Sequence, residues 1–247
     1  MTTAYQAPVP GPLPKTRTEG TISYGVVGVD FAGPIRYKVK QKQEKKAYLV
    51  LFSCSLTRGV YLELVKSLET AEFLQTLKRF IARRGRPTLI YSNNGQMFKA
   101  AANWLRKVME EERFHDTLNK YNIKWQFNLS RAPWWGGQFE RLIGIFKAAF
   151  YKVIGKSSLT FDELTETVLD VEICINNRPL DYLEDDVELP VLTPNCFLLQ
   201  RPNDLPENHP HLEENSDLRK RAKFLQRVKD SLWNRSPPLE SKRRKTP

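Results

Sequence analysis

The sequence predicts an α/β fold in which a mixed β-sheet is flanked by helices, and three observations lead to this prediction. A continuous apolar run within KKAYLVLFSCSLTRG, residues 45 to 59, is typical of a strand buried on both faces. TAEFLQTLKRFIARRG, which begins at residue 70, has apolar residues at helical spacing. Strand-like and helix-like segments follow in the order three strands, helix, strand, helix, strand, and a sheet covered by helices accounts for that order most economically.

The first three strands lie close together in the chain. YGVVGVDFAG, residues 24 to 33, is the first, and we expect it to end at Gly33-Pro34 because these residues favour turns. The apolar run at 45 to 59 contains the second. VYLELV, residues 60 to 65, is the third, and its short connection to the second strand favours a hairpin.

The remaining elements alternate between helices and strands. The helix that begins at residue 70 has one apolar face and is expected to stop at Gly85, with Pro87 beyond it. The later segments are a strand at 88 to 93, a polar helix from 99 to about 121, a strand at 123 to 128, and helices at 136 to 154 and 160 to 177.

Size and charge limit the possible functions. The 247 residues, 40% of them hydrophobic, are enough for one domain of about 150 to 180 residues with extensions. Residues 1 to 20 are rich in proline and predict an extended arm.

The net charge of +11 suggests a polyanionic partner, but residues 219 to 247 alone hold eleven Lys or Arg against two acids. Both a solvated tail and a tail that binds nucleic acid remain open.

Acidic and amide side chains fall at the ends of predicted elements. Asp30 lies near the end of the first strand, Asn93 ends the fourth, and Glu140 lies in the first turn of the helix after WWGG. Such ends can converge on one edge of a sheet. Clustered carboxylates are what phosphoryl transfer with two divalent cations requires, because they hold the ions about 3.5 to 4 Å apart.

Several separated motifs resemble a known family. GVDFAGP, RGRPTLIYSNNGQMF, KWQFN, APWWGGQFERLIGIFK, INNRPL and LTPNCFLL are similar, in this order, to the integrase catalytic core of retroviral type, particularly that of BEL/Pao LTR retrotransposons. The resemblance covers residues 8 to 235 approximately. It implies an RNase H-like fold: a five-stranded mixed sheet with antiparallel first strands, the segment at 47 to 54 in the centre, and helices on both faces.

The same resemblance implies a chemistry. Integrases of this type carry an Asp, Asp, Glu triad that binds two Mg²⁺ or Mn²⁺ ions, and they trim element DNA ends and join them to target DNA. By position, the triad falls on Asp30, Asn93 and Glu140, so an amide stands where the family motif Ser-Asp-Asn-Gly has its aspartate. Asn is neutral and offers an NH₂ donor in place of one acceptor oxygen, so we expect metal binding to be weakened and activity to be lost or severely impaired.

Candidate nucleic-acid contacts are basic residues near the metal site and in the tail. Lys147 lies seven residues after Glu140 and shares its helical face, where it can reach a phosphate or remain a solvated lysine. Arg141 is a second candidate on this helix. The tail adds Lys242, Arg243, Arg244 and Lys245, which also resemble a weak nuclear import signal.

These observations predict a domain layout and two function classes. We expect an arm at 1 to 20, the catalytic core at 21 to 180, and at 181 to 247 an extension with a truncated C-terminal module and the basic tail. Without a signal peptide or a long apolar run, a soluble nuclear or cytoplasmic protein is expected, with DNA as partner, no membrane, and a homo-oligomer compatible with the resemblance. One class is a degenerate polynucleotidyl transferase. The other is a non-enzymatic nucleic-acid-binding module on an integrase scaffold.

Overall fold

The computed structural model describes residues 15–40, 43–110, 123–127, 137–154, 159–180, 192–201 and 203. The elements are, in chain order, α1 (Lys15–Thr18), β1 (Val26–Lys40), β2 (Gln43–Cys54), β3 (Val60–Val65), α2 (Thr70–Arg84), β4 (Leu89–Ser92), α3 (Gln96–Glu110), β5 (Lys124–Phe127), α4 (Gly137–Ile154), α5 (Phe161–Asn176) and α6 (Pro194–Leu199). Their order agrees with the order predicted from sequence. The polar helix starts three residues earlier than predicted, and its expected continuation to residue 121 lies outside the described residues.

The five strands form one mixed sheet in the order β3-β2-β1-β4-β5. β1 and β2 are antiparallel, as are β2 and β3, whereas β4 is parallel to both β1 and β5. With helices on both faces of this sheet, the RNase H-like fold class predicted from sequence is confirmed.

Two details of the sheet differ from the sequence predictions. The middle strand is β1, not the apolar segment at 47 to 54, which is its neighbour. Burial does not fix the place of a strand in this sheet, because the edge strand β3 is also buried at five of its six residues. β1 also does not end at Gly33-Pro34, because pairing with β2 is only shifted there and resumes at Ile35, opposite Ala47.

The irregularity at Gly33 has a steric cause. Its φ of 135° is a conformation that residues with a Cβ rarely adopt, and a Cβ there would lie 3.2 Å from the carbonyl oxygen of Ala47. Glycine therefore allows a bulge inside a continuous strand, where the sequence pattern indicated a turn.

The core consists of two layers, one on each face of the sheet. Alternate residues of β2 divide between them: Leu49 and Leu51 face α4 and α5, while Val50 and Phe52 face α2 and α3. The α4 stripe that enters the first layer is formed by Leu142, Ile143, Phe146 and Phe150. This packing fixes α4 against the face of the sheet that bears Asp30.

Two further findings concern the described residues. Lys15–Thr18 form one helical turn within the segment predicted to be an extended arm, and Lys15 pairs with Glu19 at 3.8 Å. None of the helices in the described ranges is both long enough and apolar enough to span a bilayer.

Candidate metal centre

Asp30 and Asn93 are brought together by two neighbouring parallel strands. β1 and β4 are in register up to the pair Val29 and Ser92, and Asp30 and Asn93 are the next residue of each chain segment. β4 ends at Ser92 whereas β1 continues to Lys40, so the chain that leaves β4 at Asn93 lies beside Asp30 within β1. The sequence prediction that the first and fourth strands place these residues side by side agrees with this geometry.

The two side chains are joined by a hydrogen bond. Nδ2 of Asn93 donates to Oδ1 of Asp30 at 2.9 Å, and the backbone N–H of Phe31 donates to the same oxygen at 2.8 Å. On its other side, Oδ1 of Asn93 accepts from the backbone N–H of Gly95 at 2.9 Å. Because that N–H needs an acceptor, the amide oxygen faces Gly95 and the NH₂ group faces Asp30.

Gly95 is suited to this arrangement. A Cβ at this position would lie 3.0 Å from Oδ1 of Asn93, a distance at which the oxygen would have to shift. The absence of a side chain therefore permits the short turn in which Asn93 and Gly95 are bonded.

As they are placed here, Asp30 and Asn93 do not form a pair of oxygen ligands for a divalent cation. A cation between Asp30 and Asn93 would require an oxygen from each, but Asn93 presents NH₂ hydrogens to Asp30, and its oxygen is bonded to Gly95. Within the described ranges, no group of three or more His, Cys, Asp or Glu side chains is placed to hold a metal ion. Asn93 thus presents a hydrogen-bond donor, and no oxygen, to Asp30.

Glu140 lies in the first turn of α4. Its side chain is outside the part of the chain that the structure describes, so its expected convergence with Asp30 and Asn93 stays a prediction. The backbone supports it in one respect. Asp30 is the cross-strand neighbour of Leu51, which packs in the layer of α4 and α5, so Asp30 is on the side of the sheet that α4 covers.

The end of β4 is held by aromatic residues that the sequence analysis did not single out. Nε1 of Trp125 on β5 donates to Oγ of Ser92 at 2.9 Å, and this hydroxyl in turn donates to the carbonyl oxygen of Asn93 at 3.0 Å. Phe98 packs against both Phe31 and Trp125, with ring centroids 5.3 and 6.3 Å apart. The motifs YSNNGQMF and KWQFN contain these residues, but only strand pairing shows that they meet.

Two of the basic residues predicted to contact nucleic acid lie among the residues that the structure describes. Arg141 and Lys147 are both exposed on α4, whose opposite side is buried. Lys242, Arg243, Arg244 and Lys245 lie outside the described residues. The structure therefore leaves the α4 pair accessible to a ligand and does not bear on the tail.

Comparisons with known protein families and with curated proteins found no match. Among solved structures, a chain of the simian T-cell lymphotropic virus intasome in complex with the PP2A regulatory subunit B56 gamma is similar, with 20% identity and a TM-score of 0.49. That match covers 79% of this chain and 62% of the other, so this protein spans less than two thirds of the length of that chain.

The HTLV-2 integrase catalytic core domain in complex with magnesium is also similar. Its trimeric form is 18% identical with a TM-score of 0.42, and covers 68% of this chain and 93% of the other. The dimeric form is 18% identical with a TM-score of 0.43, over 67% and 94%. At these identities the likeness concerns the fold only.

Proposed function

We propose that this chain is a nucleic-acid-binding protein built on an integrase catalytic core of BEL/Pao type, in which polynucleotidyl transfer on DNA is lost or severely impaired. The hydrogen bond of 2.9 Å from Nδ2 of Asn93 to Oδ1 of Asp30 carries this proposal. The domain layout remains the one expected from sequence, with the core at 21 to 180. A nuclear or cytoplasmic location and a homo-oligomer belong to the same proposal.

The loss of catalytic activity follows from the two hydrogen bonds that the NH₂ group and the oxygen of the Asn93 side chain make. An aspartate at position 93 would offer two acceptor oxygens and a negative charge, and with Asp30 it would form an anionic pair that attracts a divalent cation. Asn93 instead satisfies Asp30 directly through its NH₂ group. To become a metal ligand it would have to give up its bonds to both Asp30 and Gly95.

Retention of the fold follows from the same bonds. Asn has nearly the shape of Asp, and here its donor and its acceptor are both used within the protein. A metal-free pair of carboxylates would repel each other, whereas the amide and carboxylate attract. Asn93 therefore removes that repulsion from the metal-free core.

DNA as the partner is supported by charge and by resemblance. Arg141 and Lys147 are exposed on the helix that contains Glu140, where such cations can contact phosphates. The basic residues of the tail add to the positive charge. Residual catalysis is the second candidate, because Asp30 and Glu140 are both present in the sequence.

The test restores the missing carboxylate. Asn93→Asp and the unchanged chain are titrated with Mg²⁺ by calorimetry, and both are assayed for joining and disintegration of DNA substrates with Mg²⁺ or Mn²⁺. We expect Mg²⁺ affinity to rise at least tenfold in Asn93→Asp, and the unchanged chain to be inactive. Asn94→Asp is the matched control, since it adds the same charge one residue away.

Two results would contradict the proposal. Full joining activity of the unchanged chain would show that Asn93 does not disable the site. Equal Mg²⁺ affinity of Asn93→Asp and Asn94→Asp would show that position 93 has no special relation to a metal.

A further inference from the structure

A basic two-stranded ribbon extends from the sheet beyond the bulge at Gly33. We call residues 35–40 of β1 and 43–47 of β2 the basic ribbon. β4 pairs with β1 only at Val26–Val29, and β3 pairs with β2 only at Tyr48–Ser53. Among the described residues, this part of β1 and β2 therefore extends beyond its neighbours β3 and β4, and a further bridge joins Lys38 to Thr160.

The positive charge of the protein is concentrated in this ribbon and in the tail. Between residues 36 and 46 the sequence has six Lys or Arg and one Glu, and residues 219 to 247 have eleven against two. The rest of the chain contains 22 basic and 25 acidic residues. A net charge of +11 thus arises from two short segments attached to a slightly acidic body.

One face of the basic ribbon holds most of its described charges. Arg36 is opposite Lys46 and Lys38 is opposite Glu44, so these four exposed residues share a face, while Ile35 turns to the core. Glu44 pairs with Arg36 at 3.5 Å. Like charges directly opposite each other, such as Arg36 and Lys46, destabilise a ribbon. A bound polyanion would offset that cost.

The basic ribbon is anchored along its β1 strand. The backbone N–H of Lys38 donates to the carbonyl oxygen of Leu159 at 2.8 Å, and the ring of Tyr37 packs edge-on against Phe161 with centroids 5.3 Å apart. Thr160 caps α5 in a reciprocal arrangement with Glu163. Because its β1 strand is joined to the start of a capped helix, the ribbon is ordered before any ligand binds, which lowers the entropic cost of binding.

We propose that the basic ribbon binds the phosphate backbone of double-stranded DNA, on a surface separate from the Asp30 centre. The major groove is about 12 Å wide and accommodates a two-stranded ribbon. The ammonium groups of lysines act as point charges that attract phosphates. Arg36 is six residues from Asp30 along β1, which is roughly 20 Å at about 3.3 Å per residue. This inference rests on the proposed function in requiring DNA as the partner, but it needs no metal.

The alternative is that these lysines only protect the open edge of β2 from pairing with other chains, a common use of lysine on edge strands. The two explanations differ in their effect on DNA affinity. Edge protection requires charge but no phosphate contact.

The test compares two double variants of the full chain. K38Q/K46Q removes two charges from the basic ribbon and leaves the Arg36–Glu44 pair in place, whereas K78Q/K124Q removes two exposed lysines from α2 and β5. Binding to a blunt random-sequence DNA duplex is measured by fluorescence anisotropy over a range of salt concentrations. We expect the slope of log K against log salt to fall in magnitude by about 1.8 in K38Q/K46Q, about 0.9 for each phosphate contact, and to be unchanged in K78Q/K124Q.

The outcomes separate this inference from the proposed function. If the unchanged chain binds the duplex and K38Q/K46Q keeps the same slope, the ribbon inference is overturned and the proposed function stands. Failure of the unchanged chain to bind DNA would overturn both. A loss of K38Q/K46Q affinity for phosphatidylserine vesicles, with no loss for the duplex, would overturn the choice of DNA in favour of a membrane surface.

Discussion

The side-chain amide of Asn176 pairs with both backbone groups of Val60. Its Oδ1 accepts from the N–H at 2.8 Å and its Nδ2 donates to the carbonyl oxygen at 2.9 Å. Val60 begins β3, an edge strand, and Asn176 ends α5. One turn earlier on α5, Glu172 accepts from the N–H of Leu62 at 2.8 Å. Polar side chains of a helix thus supply the edge of the sheet with the partners that a further strand would provide.

Removing the Asn176 amide should therefore destabilise the protein. Asn176→Ala leaves the N–H and carbonyl of Val60 without partners at a site where both residues are buried, so we expect the free energy of unfolding to fall by about 2 to 4 kcal/mol. Urea unfolding followed by circular dichroism measures this change. Asn103→Ala, on the exposed side of α3, is the control and should change it by less than about 0.5 kcal/mol. Equal effects of the two variants would show that the amide does not support the edge.

Glu172 should make stability depend on pH in an unusual direction. Burial raises the pKa of its carboxyl above the ordinary value of 4.5, against the opposing effects of the Leu62 N–H and of Arg84. The folded state therefore holds this proton to higher pH than the unfolded state. The stability contributed by this proton is fully present below pH 4.5 and is lost as pH rises from 4.5 through the raised pKa.

The Glu172→Gln variant isolates this contribution, because it cannot titrate. The difference in unfolding free energy between the unchanged chain and Glu172→Gln should favour the unchanged chain more at pH 4.5 than at neutral pH, as measured by urea unfolding at each pH. Glu166→Gln, on the exposed side of the same helix, controls for the loss of a carboxylate. A difference that grows toward neutral pH would refute the raised pKa.

Asn93 should also affect stability in the absence of metal. In Asn93→Asp a second carboxylate would replace the donor that now lies 2.9 Å from Oδ1 of Asp30, so the two groups would repel. Because residue 93 is exposed, we expect only about 1 kcal/mol of destabilisation in EDTA. Added Mg²⁺ should raise the melting temperature of this variant and leave that of the unchanged chain as it is, as scanning fluorimetry would measure. Identical melting temperatures of the two chains in EDTA would contradict the expected repulsion.

The local sequence determined the elements and their order. The strand at Val60–Val65 was predicted at its observed bounds, and the amphipathic helix at Thr70–Arg84 nearly so, because periodic burial of apolar side chains is a local pattern. Asp30 and Asn93 were predicted to meet because each was placed near the end of a predicted strand, and they do meet, although Asp30 lies inside β1. That an acid is expected at position 93 is implied by the family resemblance of the surrounding motif.

Long-range pairing decided the rest. The middle position of β1 and its continuation past Gly33 depend on which strands lie beside it, and a hydrophobic pattern does not contain that information. The direction of the Asn93 amide is set by the N–H of Gly95 on one side and by Asp30, 63 residues away, on the other. The charges of the basic ribbon gather on one face only because Arg36 and Lys46 are brought into register. Hydrogen-bond partners and cross-strand neighbours arise from the folded chain, so tertiary structure alone could decide them.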